Sequence, residues 1–106
     1  MPALTGTVLF NGVAPGAPRA RVRAPASASG GTAVTLDGSD SSSDGDVLVT
    51  HHWRQLSGPT VATSDPNRPK LTFVMPQKPE SSMRFELEVK DAAGLVDVEE
   101  VEIRNH

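Results

Sequence analysis

Hydrophobic and polar residues alternate along several short stretches of the chain, and the clearest of these is residues 83–91. Its sequence, MRFELEVKD, places Met83, Phe85, Leu87 and Val89 at every second position, with charged residues between most of them. Successive side chains of a β-strand point to opposite faces, so this pattern predicts a strand with one buried and one wetted face.

Shorter stretches with the same alternation predict further strands. Val34 and Leu36 share one face of AVTLDG, and Leu71 and Phe73 share one face of KLTFVMP. Gly and Pro number 9 each, turn residues separate the apolar runs, and no stretch has the spacing of an amphipathic helix. Together these features predict an all-β protein, an antiparallel sandwich of about seven strands. The predicted strands are 7–10, 20–24, 33–38, 47–56, 70–76, 83–91 and 96–104.

The apolar residues on the predicted buried faces are expected to form one contiguous core between two sheets. The interior of a sandwich consists of the inward side chains of both sheets, so each strand should contribute every second residue. The predicted core comprises Val34, Leu36, Trp53, Phe73, Met83, Phe85, Leu87 and Val89.

The final predicted strand departs from strict alternation. Its apolar residues change phase at Glu99-Glu100. A shift of one residue turns every later side chain to the opposite face. We therefore interpret the change as a β-bulge that keeps Val96 and Val98 facing the core together with the later apolar residues.

Length and composition restrict the classes of function. The 106 residues suffice for one domain, and the net charge of −3 arises from interspersed charges of both signs. Nucleic-acid binding is not expected, because it needs a basic patch. The chain contains no cysteine, which excludes a disulfide framework and a thiolate metal site. No apolar run approaches the roughly 20 residues that span a bilayer, so membrane insertion is not expected either.

The N-terminal segment, MPALTGTVLFNGV, has neither the basic start nor the long apolar run of a signal peptide. It contains one short β-prone run and an Asn-Gly pair, which is a strong turn signal. We interpret the chain as a piece of a longer protein. We predict an N-terminal linker or extra strand over residues 1–17 and a β-sandwich domain over residues 18–106.

Several sequence motifs occur in an order that is specific in combination. TAVTLDGSDSSSDGD is followed by HHWRQLSGP, then by RPKLTFVMP, and then by MRFELEVKDAAGL and a final strand rich in Val and Ile. Over residues 18–104 the chain resembles the PKD domain (polycystic kidney disease repeat), in particular its bacterial PKD-like modules. The resemblance implies an immunoglobulin-like antiparallel β-sandwich.

The same resemblance implies a function. PKD-like modules occur in large secreted and surface proteins such as collagenases, proteases, chitinases and adhesins, usually as spacers or interaction modules. We therefore expect a non-catalytic module of a larger secreted or cell-surface protein, acting as rigid spacer or protein-interaction domain. Its partners would be the neighbouring domains and a protein or polysaccharide ligand. The alternative is a polysaccharide- or collagen-binding accessory module of a secreted hydrolase. The chain has no Gly-x-Ser-x-Gly nucleophile motif, which also argues against an enzyme.

Trp53 distinguishes these two interpretations. As a core residue it fills the interior of the sandwich, as a large aromatic residue does in this architecture. As a binding residue it would be an exposed platform for a sugar ring or collagen, so Trp53 is a candidate binding residue only if it is exposed. The chain has one Trp, three Phe and no Tyr. So few aromatic residues favour the core interpretation.

Two adjacent histidines, His51 and His52, precede Trp53, and His51 occupies a position where the family favours Tyr. Neighbouring residues of a strand point to opposite faces, so the two imidazoles cannot bind one ion. No third ligand has the spacing of a zinc site. We expect one histidine to be half-buried and the other to be solvated.

The stretch TLDGSDSSSDGDVLVTHHW concentrates Asp, Ser and Gly in one loop. Such residues suit a solvated turn, because their side chains bond nearby backbone groups and tolerate left-handed dihedral angles. In that interpretation Asp37 and Asp91, which end strands, use their carboxylates to cap free backbone amides.

The alternative role of this loop is calcium binding, since calcium takes roughly six to eight oxygen ligands. The family resemblance implies Asp44, Asp46 and Asp91 as the metal ligands, with Asn11 as a candidate from the linker. The loop has one acidic residue fewer than the family pattern, and it lacks EF-hand spacing. A polar turn therefore remains the first interpretation, calcium the second, and no other cofactor is expected.

Overall fold

The computed structural model describes residues 17–43 and 48–105 and, for Leu48 and Val49, the backbone alone. Within these ranges the chain forms eight β-strands and no helix. It follows that no helix there is long and apolar enough to cross a membrane. The strands are β1 (Pro18–Arg19), β2 (Ser27–Ala28), β3 (Ala33–Asp37), β4 (Ser42–Ser43), β5 (Leu48–Ser57), β6 (Lys70–Val74), β7 (Ser82–Asp91) and β8 (Val96–Asn105).

Two β-layers enclose the core. The first layer is a four-stranded sheet in the order β2-β8-β7-β5, and the second contains the antiparallel pair β3-β6. Single bridges extend the second layer on both sides, from Arg23 to Asp37 and from Thr63 to Phe73. A further short antiparallel pair joins β1 to β4. The protein is therefore an all-β, immunoglobulin-like sandwich, as the sequence predicts.

β7 is an inner strand of the first layer, and its residues alternate regularly between the core and the outer face. It pairs antiparallel with β5 on one side and with β8 on the other. Met83, Phe85, Leu87 and Val89 are all fully buried, whereas Arg84 lies on the solvent face. The core prediction is confirmed, because every predicted residue belongs to one buried cluster. The cluster also contains Ala20, Leu71, Met75 and Ile103.

An aromatic pair connects the two layers at the centre of this core. Phe73 on β6 and Phe85 on β7 are stacked, with ring centroids 5.0 Å apart and an interplanar angle of 27°. Such a pair contributes about 0.5–1.5 kcal/mol beyond the burial of its apolar surface. The sequence placed both rings on buried strand faces, and the structure shows that they face each other.

Three of the strands have two residues each and lie outside the predicted strands. One of them, β2, runs parallel to β8, with Ser27 opposite Arg104 and Ala28 opposite Asn105. The predicted sandwich is antiparallel, so this pair is a local difference. A two-residue strand is too short to show alternation. β2 is defined by its pairing with β8.

The predicted bulge at Glu99-Glu100 is wrong. β8 pairs with β7 in one uninterrupted register. Val96 and Val98 consequently lie on the outer face, 50% and 49% exposed. The register shifts of this sheet occur instead in the β5–β7 pair, near the two ends of β5.

The inner positions in the first half of β8 belong to acidic residues, which explains the missing bulge. Asp97 is half-buried there, and its Oδ2 accepts a hydrogen bond from the backbone amide of Ala20 at 2.8 Å. Only the second half of the strand, with Val101 and Ile103, reaches the core. The exposed valines reflect the preference of branched residues for strands rather than burial.

The described part of the chain begins and ends at opposite ends of the sandwich. At the first, the hairpin end, β1 pairs with β4 and Ala20 contacts Asp97, close to the β7–β8 turn at residues 91–95. At the second, the Asn105 end, the buried Asn105 side chain donates hydrogen bonds to the carbonyl oxygens of Pro76 at 2.7 Å and Lys78 at 2.8 Å. β8 runs the whole distance between the two ends.

Candidate functional site

Trp53 lies on the inner face of β5, directly opposite Leu87, and is 2% exposed. Its Nε1 donates a hydrogen bond to the carbonyl oxygen of Arg68 at 3.1 Å. The polar atom of the indole is thus satisfied while the ring packs in the core. The condition under which Trp53 would be a binding platform, namely exposure, is not met.

Residues 66–68 cover the outer edge of β5 around Trp53. The Trp53 amide donates to the carbonyl oxygen of Pro66 at 2.8 Å, and the Nδ1 atom of His52 lies 2.9 Å from the Oδ1 atom of Asn67. The Asn67 amide in turn donates to a carboxylate oxygen of Asp65 at 2.9 Å. Around Trp53 this edge of the sheet is therefore protected from pairing with other chains. From the sequence, the same stretch could only be described as irregular.

Gln55 holds the Ser-Gly-Pro turn that follows β5. Its Nε2 donates to the carbonyl oxygens of Ser57 at 3.0 Å and Pro59 at 2.8 Å, and its Oε1 accepts from the Val61 amide at 3.4 Å. Gly58, with φ of 93°, supplies the left-handed conformation that the turn needs. The sequence analysis assigned no role to Gln55, although its fixed place two residues before this turn is a signal that could identify it.

Asp91 ends β7 and is 1% exposed. Its Oδ1 accepts hydrogen bonds from the amides of Ala93 at 3.0 Å and Leu95 at 2.9 Å, and the Ser43 hydroxyl donates to its Oδ2 at 3.4 Å. Gly94, with φ of 91°, completes the turn. The carboxylate thus caps the turn between β7 and β8, which confirms the predicted capping role.

Asp37 ends β3 and caps the start of the acidic loop. Its Oδ1 accepts hydrogen bonds from the hydroxyl of Ser39 at 2.6 Å and from the Ser39 amide at 2.9 Å. These two bonds, the hydroxyl's above all, hold the pKa of Asp37 below its ordinary value. The next residue, Gly38, is buried, and a Cβ there would lie 2.5 Å from the side chain of Leu87 and 3.2 Å from that of Trp53. Glycine therefore lets the loop begin directly over the core.

The calcium prediction concerns three carboxylates, of which one belongs to the described part of the chain. Asp44 and Asp46, as well as the linker candidate Asn11, lie outside the described residues. Asp91 is bonded to Ser43, the neighbour of Asp44 in the sequence. Among the residues that are described, no three His, Asp or Glu side chains are grouped closely enough to hold a metal ion. Calcium binding by Asp44, Asp46 and Asp91 stays a prediction.

The two histidines lie on opposite faces of β5, as predicted. His51 is half-buried on the inner side, and His52 is exposed on the outer side. Burial lowers the pKa of His51 below its ordinary value, and a hydrogen bond to the backbone of Gly38 opposes part of that shift. The folded protein consequently favours the neutral imidazole at this position.

Because the folded state favours neutral His51, acidic solution should destabilise the protein. The pKa of the imidazole is about 6.5 in an unfolded chain, and it is lower in the folded one. The contribution of neutral His51 to the free energy of unfolding is therefore fully present above about pH 6.5. It is lost as the pH falls from there through the folded-state pKa. We expect the melting temperature to decrease between about pH 7.5 and pH 5.5, and to decrease less in His51→Gln. Equal pH dependence of the two proteins would contradict this role of His51.

The two layers and the bonded corners define an immunoglobulin-like β-sandwich module. The family model described as K319L-like, PKD domain matches residues 26–104. The chain therefore belongs to the PKD domain family, and the resemblance drawn from its motifs is confirmed. Domains of this family are generally non-catalytic modules of larger proteins and typically occur in extracellular or surface proteins.

Solved structures that are similar to this chain include the following two. One is a nucleoside hydrolase-related hypothetical protein from Saccharophagus degradans, associated with carbohydrate metabolism, with a TM-score of 0.75 and 23% identity over 85% of this chain and 26% of that one. The other is the PKD domain from the KIAA 1837 protein, with a TM-score of 0.59 and 26% identity over 78% of this chain and 86% of that one. The chain spans about a quarter of the first structure's length, and at this identity the likeness shows the fold alone. No curated protein matches the chain.

Proposed function

We propose that the chain is a non-catalytic extracellular module of a larger secreted or surface protein, and that its main role is that of a rigid spacer. The observation that supports this role most strongly is the position of its two ends. The described part of the chain begins at the hairpin end, with Pro18 to Ala20, and ends at Asn105. Segments attached at these points would be held apart by the length of the sandwich.

β8 determines that length. The strand contains 10 residues, and a β-strand rises about 3.3 Å per residue, so the two ends are separated by roughly 30 Å. Side-chain hydrogen bonds fix the chain at both ends: Asp97 holds Ala20, and Asn105 holds the segment after β6. A spacer needs such attachments, since loosely held terminal segments would behave like a flexible linker.

The alternative, a polysaccharide- or collagen-binding accessory module, has less support. A sugar platform needs exposed aromatic rings, and Trp53, Phe73 and Phe85 are all buried. The other aromatic residue of the chain, Phe10, lies outside the described residues. The similar structure associated with carbohydrate metabolism shares the fold at 23% identity, which supports no particular ligand.

A distance measurement between two spin labels tests the spacer role. The chain contains no cysteine, so Arg19→Cys and Arg104→Cys provide two unique labelling positions, both exposed and near opposite ends. We expect double electron–electron resonance to give one narrow distribution centred at about 30 Å plus the length of the label arms. The same protein in denaturant supplies the reference for a flexible chain. A native distribution as broad as that reference would overturn the proposal.

A pull-down on insoluble chitin, cellulose and collagen addresses the alternative. A pure spacer should remain in the supernatant with all three materials. Retention on one of them, together with a narrow label distance, would make the chain an accessory binding module that also happens to be rigid.

A further inference from the structure

Among the described residues, β8 has backbone partners on its outer edge only near its end. β2 pairs with its last two residues only, where the amide of Arg104 donates outward to the carbonyl oxygen of Ala26 at 2.9 Å. Outward and inward backbone groups alternate along an antiparallel strand, and the β7–β8 register is uninterrupted. The N–H and C=O groups of Val98, Glu100 and Glu102 therefore point outward, and none of the described residues forms a backbone hydrogen bond with them.

The opposite edge of the same sheet is covered around Trp53. There Pro66 accepts the hydrogen bond of the Trp53 amide, and Asn67 contacts the side chain of His52. An exposed strand edge is a template for pairing with another chain, and proteins usually cover it, shorten it or charge it. Within the described part of the chain, no residue pairs by backbone hydrogen bonds with the outer edge of β8 between Val98 and Glu102, so the side chains there decide what can pair.

Those side chains are mainly acidic. Glu99, Glu100 and Glu102 are all exposed. The Nη1 atom of Arg84 lies 3.3 Å from a carboxylate oxygen of Glu100, but both partners are about half exposed, and a pair of this kind contributes little. Beside the glutamates, towards the hairpin end, Val96 and Val98 expose an apolar surface. The edge is thus acidic over most of its length and apolar at one end.

We propose that the β8 edge from Val98 to Glu102 binds an extended, lysine- or arginine-rich segment of a partner protein by strand addition. The main chain of the partner pairs with the outward amides and carbonyls of β8, and its basic side chains reach the glutamates. An apolar residue at the end of the segment contacts Val96 and Val98. This interaction goes beyond the spacer role and does not depend on it.

A second copy of this chain is a poorer occupant of the same edge. Two β8 edges that paired about a two-fold axis would bring Glu99, Glu100 and Glu102 close to the same glutamates of the other copy. Like charges directly opposite one another destabilise a strand pair, and charge at a sheet edge commonly prevents self-association. The glutamates therefore reject an identical edge and attract a basic one.

A peptide titration tests this proposal. The probe is a peptide of alternating lysine and valine, added to the 15N-labelled chain, and we expect amide chemical-shift changes concentrated in residues 96–102. The same peptide with glutamate in place of lysine should bind at least about tenfold more weakly. A lysine peptide that is N-methylated at alternate residues, namely those whose amides would face β8, should lose affinity to a similar degree, because it cannot donate main-chain hydrogen bonds to that edge. Equal affinity of the methylated peptide would reduce the interaction to charge attraction and overturn strand addition.

Variants of the chain separate charge from backbone pairing. The double change Glu100→Lys and Glu102→Lys should weaken binding of the lysine peptide at least about tenfold and strengthen binding of the glutamate peptide. Glu88→Lys, the matched reversal on the inner strand β7, should have a much smaller effect. Val98→Pro removes one outward amide without disturbing the β7 pairing, so it should abolish binding while the melting temperature stays near that of the wild type.

Two results would overturn the proposal. One is an absence of shifts at millimolar lysine peptide in a folded sample. The other is a wild-type dimer in sedimentation experiments that Val98→Pro converts to monomer, because this would assign the edge to a second copy of the chain.

Discussion

Phe85→Ala is expected to lower the free energy of unfolding by about 3–5 kcal/mol, the largest effect expected here. Phe85 is fully buried in β7, and its ring stacks on Phe73 of the opposite layer. The truncation therefore removes buried apolar surface, leaves a cavity and breaks an aromatic contact between the layers. Native domains have a total stability of about 5–15 kcal/mol, so the variant should be near the limit of folding.

Urea unfolding followed by circular dichroism measures this effect. Val96→Ala is a suitable control, because it truncates an apolar side chain of the neighbouring strand that is 50% exposed. Its free energy of unfolding should differ from that of the wild type by no more than about 0.5 kcal/mol. If the two variants were equally stable, the inner face assigned to β7 would be wrong.

Asp91→Ala is expected to cost about 2–4 kcal/mol of stability, because it leaves the amides of Ala93 and Leu95 without their charged acceptor. Asp91→Asn is the matched variant. It keeps an oxygen that can accept those two bonds and loses the charge, so it should cost about 1 kcal/mol. Thermal melts in excess EDTA measure both values free of any metal contribution. Equal losses for the two variants would show that the charge, and not the cap, is what the fold requires.

The same melts in millimolar calcium test the predicted metal site. An ion that binds only the folded state raises its melting temperature by mass action. If Asp44, Asp46 and Asp91 hold calcium, the wild type should melt several degrees higher than in EDTA, and Asp46→Asn should abolish the difference. Identical melts in the two buffers would leave the loop as a polar turn whose described carboxylates bond backbone amides.

The elements that could be predicted from the sequence are the strands with one face in the core and the other in water. Alternation in β7 records the burial of each side chain directly, so its core residues and those of β3 were identified correctly. The caps at Asp37 and Asp91 were predictable for a local reason, since an aspartate at a strand end bonds amides within four residues of itself.

The parts that could not be predicted depend on contacts between distant segments. Val96 and Val98 belong to an edge strand, where apolar residues do not imply burial. Nothing in the local sequence of Ala28 or Asn105 indicates that they pair at one end of the sandwich. The cover over β5 is similar, because two of its contacts are made by the carbonyl oxygens of Pro66 and Arg68, groups that any residue possesses.

The burial of Trp53 gives the protein an internal optical reporter. It is the single tryptophan of a chain without tyrosine, so the fluorescence of the folded protein comes almost entirely from one indole, whose Nε1 is bonded to Arg68. Water reaching that ring shifts its emission to longer wavelength, and the shift reports on β5 and the segment that covers it rather than on the whole molecule. Two-state unfolding requires this signal to coincide with circular dichroism. An earlier emission shift would reveal local opening of that corner before the sandwich unfolds.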